Sequence, residues 1–359
     1  MFPREKNARF NYLMGVLNGG IFGFGTSFLD PTTVLPVFIR HFTNSDTLVG
    51  LASSLHRTGW HLPQLLVAGY LERRRFRLPI YVRANIVRMT LIWLTVPLIA
   101  WYSLEQPGLV LSGFLILFGV ASLCGGAAGL AYTDIVGKSI PRSYTGMFYA
   151  TRSFLSGVLS IFAGVLIKYL LDAESGSVFP ANYAVIFALG TGMMCLGIGC
   201  FSLVREPEGQ ISKTHRNFVQ VIREVPGLLR LDPNFRTFLM VQVLASGIGF
   251  SLPFYVVFAR ETFQVPESSV GVFLAVQTVG SAVFNVVWGR ISVTQGNQRV
   301  VVFAVLGVAI IPILALILGS QAALIQQGDG WVVTVCFSPI FLLIGGTTTG
   351  IFIGFKSYL

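Results

Sequence analysis

Apolar residues run along this chain in long blocks, about ten of them, separated by short polar segments. A helix that crosses a bilayer needs roughly 20 consecutive, mostly apolar residues. The blocks meet that length, and their apolar character is continuous rather than alternating, which argues against a membrane β-barrel. The pattern predicts spans 1 to 6 at about Asn11–Ile39 (interrupted at Asp30-Pro31), Leu48–Gly69, Leu78–Trp101, Leu109–Val136, Thr145–Ile167 and Tyr183–Leu203. After a polar segment it predicts spans 7 to 10 at about Thr237–Phe258, Ser269–Gly289, Val300–Gly319 and Trp331 to the end. The fold class expected is an all-α membrane protein built as two pseudo-symmetric bundles, six helices and at least four. The expected divisions are a bundle at 1–204, a linker at 205–236 and a second bundle at 237–359.

The polar segments orient the spans. Arg4, Lys6 and Arg9, then Arg73, Arg74, Arg75, Arg77 and Arg83, then Lys138 and Arg142 fall on one side. The 205–236 segment with Arg290 and Arg299 joins them, while Arg40, Lys168 and Arg260 fall on the other. Positive loops stay cytoplasmic, so the N-terminus is expected inside the cell membrane. The linker's middle, Asn217–Leu229, alternates apolar and basic residues and fits either an interfacial helix or a solvated tether.

Composition agrees: 53% of residues are hydrophobic and 11% charged, where a soluble domain carries about 25%. The net charge of +10 sits in short loops, which excludes nucleic acid as the partner and leaves the bilayer. Cys124, Cys195, Cys200 and Cys336 all lie in apolar runs without metal-ligand spacing, so neither metal nor disulfides are implied. The first apolar block is too long for a signal-peptide core and reads as a retained helix. No phosphate-binding loop and no nucleophile–base set is present, so no cofactor and no enzyme activity are expected.

Spans 1–4 recur as spans 7–10 at an offset of about 220 residues. Phe38-Ile39-Arg40 matches Phe258-Ala259-Arg260, and Leu48-Val49-Gly50 matches Ser269-Val270-Gly271. Gly69 matches Gly289, and Gly125-x-x-x-Gly129 matches Gly346-x-x-x-Gly350. Such internal repeats characterise transporters. By this register the second half stops two spans short of the first, so the sequence is expected to lack its last two helices.

With two halves, a long basic linker and a basic Gly-containing loop after span 2, the chain resembles the major facilitator superfamily. That family's loop signature is G-x-L-a-D-r-x-G-R. Gly69, Leu71, Arg74 and Arg77 fit it; the acid is displaced to Glu72, Arg73 takes the Asp position and Phe76 replaces the second Gly. The second copy keeps Gly289 and Gly296 but has Val293 at the Asp position. The resemblance implies that this loop locks an inner gate, making Gly69, Glu72, Arg73, Arg74 and Arg77 gating candidates.

Ionisable groups inside apolar spans mark functional paths or structural pairs. Asp30 and Arg57 lie at similar depth in spans 1 and 2 and are expected to pair, either at a site or as a helix tie. Pro31 and Pro36 interrupt span 1 as a cavity-lining break or a simple kink. Arg57, His61 and Gln64 share one helical face, with His56 on an overlapping one. His56 or His61 is a candidate proton carrier, or else a helix–helix hydrogen bonder. Arg88 and Arg152 are buried by position. Asp134 matches Arg152 in depth and is expected to pair with it as an inner gate. Arginine suits carboxylate and phosphate, which favours an anionic substrate. The second half offers Gln242, Gln277 and Asn285 as candidates. The glycines of span 1 read as close-packing positions. Together these readings predict a secondary active transporter of a small, anionic solute, working by alternating access with a coupling proton or ion. A non-transporting membrane receptor that keeps the fold is the alternative.

Overall fold

A computed structural model of the chain describes residues 6–71, 73–176, 178–209, 227, 229–325 and 330–356. The helices are α1 Lys6–Ser27, α2 Val34–Arg40, α3 Asp46–Leu71, α4 Leu78–Tyr102, α5 Pro107–Ser139, α6 Arg142–Leu170 and α7 Ala181–Ser202. They continue as α8 Pro233–Ser251, α9 Phe254–Phe263, α10 Ser269–Gln295, α11 Asn297–Ser320 and α12 Gly330–Lys356. No strand occurs among the described residues. Among the described residues, eight helical stretches are long and apolar enough to cross a membrane; α1 and α3 are not among them. The expected interfacial stretch Asn217–Leu229 lies almost wholly outside the described residues.

Span 1 breaks where its sequence dictates. Pro31 has no N–H to give, and the Asp30 carboxylate accepts the backbone amides of Thr32 and Thr33, each at 2.9 Å. Val34 and Leu35 then restart the helix by donating to the Asp30 carbonyl at 3.1 and 3.0 Å. Pro36 does not break α2, because it sits in the first turn, where an amide has no helical partner. Span 7 differs from the sequence expectation of one helix at Thr237–Phe258. It splits into α8 and α9 around Leu252-Pro253, and α9 runs on to Phe263 before Gln264 turns it with φ 55°. The cause is again a proline, embedded in an apolar run that hides it.

The chain divides into two compact units, and each draws on both sequence halves. The first comprises Met1–Thr26, Leu51–Ser156 and Tyr183–Met240; the second Ser27–Gly50, Gly157–Asn182 and Val241–Leu359. In the first unit, α3 crosses α5 where a Cβ on Gly126 would sit 2.5 Å from the Trp60 carbonyl oxygen. Gly129 receives the Trp60 ring. In the second unit, Gly346 and Gly350 of α12 receive the Phe284 and Trp288 rings of α10, and the Trp288 indole donates to the Gly346 carbonyl at 2.7 Å. Of the repeated glycine pairs, Gly129 and Gly350 do the same job, each receiving a tryptophan ring, whereas Gly125 makes room for Arg88 and its counterpart Gly346 for Phe284. They let backbones approach so closely that van der Waals contact replaces the hydrophobic drive that lipid removes.

Candidate substrate site

Two arginines of the first unit, the buried Arg88 and the half-buried Arg152, lack a carboxylate partner among the described residues. Arg88 comes from α4 and is 4% exposed. Its guanidinium carbon lies 5.3 Å from the Phe22 ring centroid and 5.9 Å from that of Trp60. Gly125 of α5 leaves the room, since a Cβ at that position would lie 3.0 Å from the same carbon. Arg152 comes from α6 and lies 5.0 Å above the Tyr132 ring. Gly19 of α1 makes space for its side chain, because a Cβ there would collide with it. The Nε atoms of both arginines, and the Tyr132 hydroxyl, are buried without hydrogen-bond partners among the described residues. Neither guanidinium has an ion-pair partner among the described residues.

Aromatic rings tie the two arginines together. Tyr132 lies 6.4 Å from Tyr81, one helical face along α4 from Arg88, and both rings meet Phe201 at 4.5 and 4.9 Å. Cation–π contact offsets part of a guanidinium's desolvation but does not cancel its charge. The arrangement therefore stores positive charge in a low-dielectric interior and can bind an anion bidentately.

The other sequence candidates are dispersed. His56 stacks on Phe118 at 5.9 Å and Gln64 is partly buried on α3. Glu72 and the side chains of Arg57 and His61 lie outside the described residues, and with them the expected Asp30–Arg57 pair. In the second unit, the Asp30 carboxylate also accepts the Thr32 and Thr33 hydroxyls at 2.6 and 2.9 Å. The Thr32 hydroxyl is 2.9 Å from the Gln277 side-chain amide. One hydroxyl has one proton, so Asp30 Oδ1 and Gln277 Oε1 compete for that of Thr32, and Asp30 makes the shorter contact. Gln242 and Asn285 are exposed.

The expected Asp134–Arg152 pair does not form. Asp134 instead binds Arg77 and, at 2.9 Å, Lys138 one turn along its own helix. Sequence reasoning missed the fourth member, Glu206. Its carboxylate accepts the backbone amides of Arg77 and Leu78 at 2.8–2.9 Å and lies 3.4 Å from Lys138. Those amides open α4, so an acid there meets both free donors and the helix dipole. Only its place immediately after α7 and next to Arg205 could have hinted at this. Of the other gating candidates, Gly69 lies in the last turns of α3, Arg73 is exposed, and Arg74 bonds the Tyr70 hydroxyl at 2.9 Å.

Helices of this length and apolarity make the protein a multi-pass integral membrane protein. Residues 15–358 match the family model of the Major Facilitator Superfamily, and the chain belongs to that family. It is similar in fold to a D-xylose-proton symporter (TM-score 0.62, 12% identity, covering 98% of this chain and 90% of that one). It is likewise similar to the xylose transporter XylE from E. coli (TM-score 0.59, 15% identity, 98% and 85% covered). A third structure, the nucleoside transporter NupG as a D323A mutant, aligns with TM-score 0.58 at 11% identity over 98% and 90%. No curated protein matches in sequence.

Proposed function

We propose that this chain is a secondary transporter that carries a small anionic solute across the cell membrane by alternating access. The observation that carries the anionic reading is the buried Arg88 and the half-buried Arg152, neither of which meets an acid among the described residues. A buried charge without a counter-ion is costly, and a substrate carboxylate or phosphate would supply the missing charge. The membership in a family of transporters supports carriage rather than catalysis.

The bundles 1–204 and 237–359, joined by 205–236, are the moving bodies of this proposal, with the N-terminus in the cytoplasm. Arg77, Asp134, Lys138 and Glu206 form its inner gate. Asp30, held in the break of span 1, is one of its substrate- or ion-binding residues, and His56 its candidate proton carrier. Gln64 extends the site along α3, and Arg57 and His61 of the same span are candidates for it by their sequence positions.

The test is counterflow in proteoliposomes with radiolabelled mono- and dicarboxylates, inorganic phosphate, pentoses and nucleosides. The proposal expects exchange of an anion and its loss in Arg88→Gln. Exchange of only uncharged solutes removes the anionic reading, and binding without exchange replaces transport by sensing.

A further inference from the structure

We infer that Arg40, His41 and Asp46 form, with Arg260, Glu261 and Glu267, a repeat-related clasp that closes one end of the second unit and that acid tightens. The inference rests on the transporter reading only for the use made of the closure. The two halves of the clasp occupy equivalent places in the internal repeat, about 220 residues apart: Arg40 with Arg260, His41 with Glu261, Asp46 with Glu267. Each arginine holds the acid of its own helical hairpin, Arg40 to Asp46 at 3.0 Å and Arg260 to Glu267 at 3.0 Å. Two contacts cross from one repeat to the other. The Arg40 Nε donates to Glu261, and the His41 Nε2 meets Glu267 at 2.9 Å.

These groups surround a cavity of about 190 Å³ lined by Val37, Arg40, His41, Val257, Arg260 and Glu261. The connection before α7 adds Phe179, which stacks on the His41 ring at 4.3 Å. That connection also carries Asp172 and Glu174, and Asp172 caps the Glu174 amide at 3.2 Å. The Glu261 hydrogen bond raises the Arg40 pKa, so Arg40 stays charged throughout.

The clasp departs from symmetry at one place. Where the second repeat has Glu261, the first has His41, a group that gains charge on acidification instead of losing it. The five other members are two arginines and three acids, a net charge of −1. A protonated His41 therefore neutralises the cluster and turns its contact with Glu267 into an ion pair. The sign follows: lowering pH through the histidine range, about 5 to 8, strengthens the closed form, and raising it weakens the closed form.

Val257, 5% exposed, supplies the reporter. Val257→Cys in the full chain, reconstituted in vesicles, is treated with a membrane-impermeant maleimide, and modification at position 257 is read by peptide mass spectrometry. Each value is divided by that of the same sample unfolded at the same pH, which removes the thiol's own pH dependence. Labelling should fall about threefold between roughly pH 7.5 and 5.5, the size of one half-exposed ion pair. His41→Gln should abolish that response, and His41→Arg should hold labelling low at both values. Arg40→Glu should raise labelling, and Arg40→Glu with Glu261→Arg should restore protection, which separates charge pairing from misfolding. A pH response that survives His41→Gln, or a swap that fails to restore protection, overturns the clasp. If the labelling pattern holds while every solute above fails to exchange, the transport reading falls and the clasp stands. If exchange is intact and the pattern absent, the clasp alone falls.

Discussion

Arg152 of α6 lies directly across Gly19 of α1, in space that any side chain at position 19 would occupy. The glycine read from sequence as a packing residue thus shapes the surroundings of a half-buried charge. Gly19→Ala forces Arg152 to shift in a packed interior, a change that typically costs about 1–3 kcal/mol. A lowered melting temperature in nanodiscs is expected, together with loss of anion exchange. Gly146→Ala, where nothing lies within 4 Å of the added atom, should change either by little.

Cys124 is next in the chain to Gly125, whose missing Cβ leaves the room that the Arg88 guanidinium fills. The ratio of modification rates by anionic and cationic thiol reagents at Cys124 therefore reports the local potential without a known substrate. Arg88→Gln should lower that ratio about tenfold, as removal of one nearby unit charge implies. An unchanged ratio would show that Arg88 is neutralised where it sits.

Glu206 is 2% exposed in its side chain and joins the start of α4 to Lys138. Glu206→Ala strands the two backbone donors that open α4, while Lys138 keeps Asp134, for an expected loss of about 1–3 kcal/mol. Glu206→Gln keeps an acceptor oxygen and should lose less. Thermal melts of the two variants, ranked against each other, check this.

Asp30→Asn keeps an oxygen for the Thr32 and Thr33 amides, so the break between α1 and α2 should survive with a change below about 1 kcal/mol. If Asp30 binds the coupling ion, this variant exchanges solute but no longer accumulates it against a gradient. Accumulation driven by an imposed pH difference, at native level in Asp30→Asn, would assign the coupling ion elsewhere.

Much of the fold is legible in the sequence because lipid imposes local rules. Length, apolarity and the sidedness of arginines are properties of consecutive residues, and they placed spans 2 to 6 and 8 to 10 close to the observed helices. The Asp30-Pro31 break was equally legible, since its cause lies within four residues. The break at Pro253 was not, because an apolar run conceals a proline whose effect depends on its backbone neighbours.

Partnership is where the sequence stopped. Depth matching offered Arg152 to Asp134, yet Arg77 took it, since helix rotation and loop path decide which side chains meet. Glu206 gave no pattern at all; its role exists only because the chain after α7 returns to the amides that open α4. Likewise the sequence displayed Arg40 and Arg260 as matching repeat positions, but not their acids crossing between repeats. Which residues are helical and apolar follows from neighbours along the chain. Which charges pair follows from contacts between residues tens to hundreds of positions apart, and only the tertiary structure decides those.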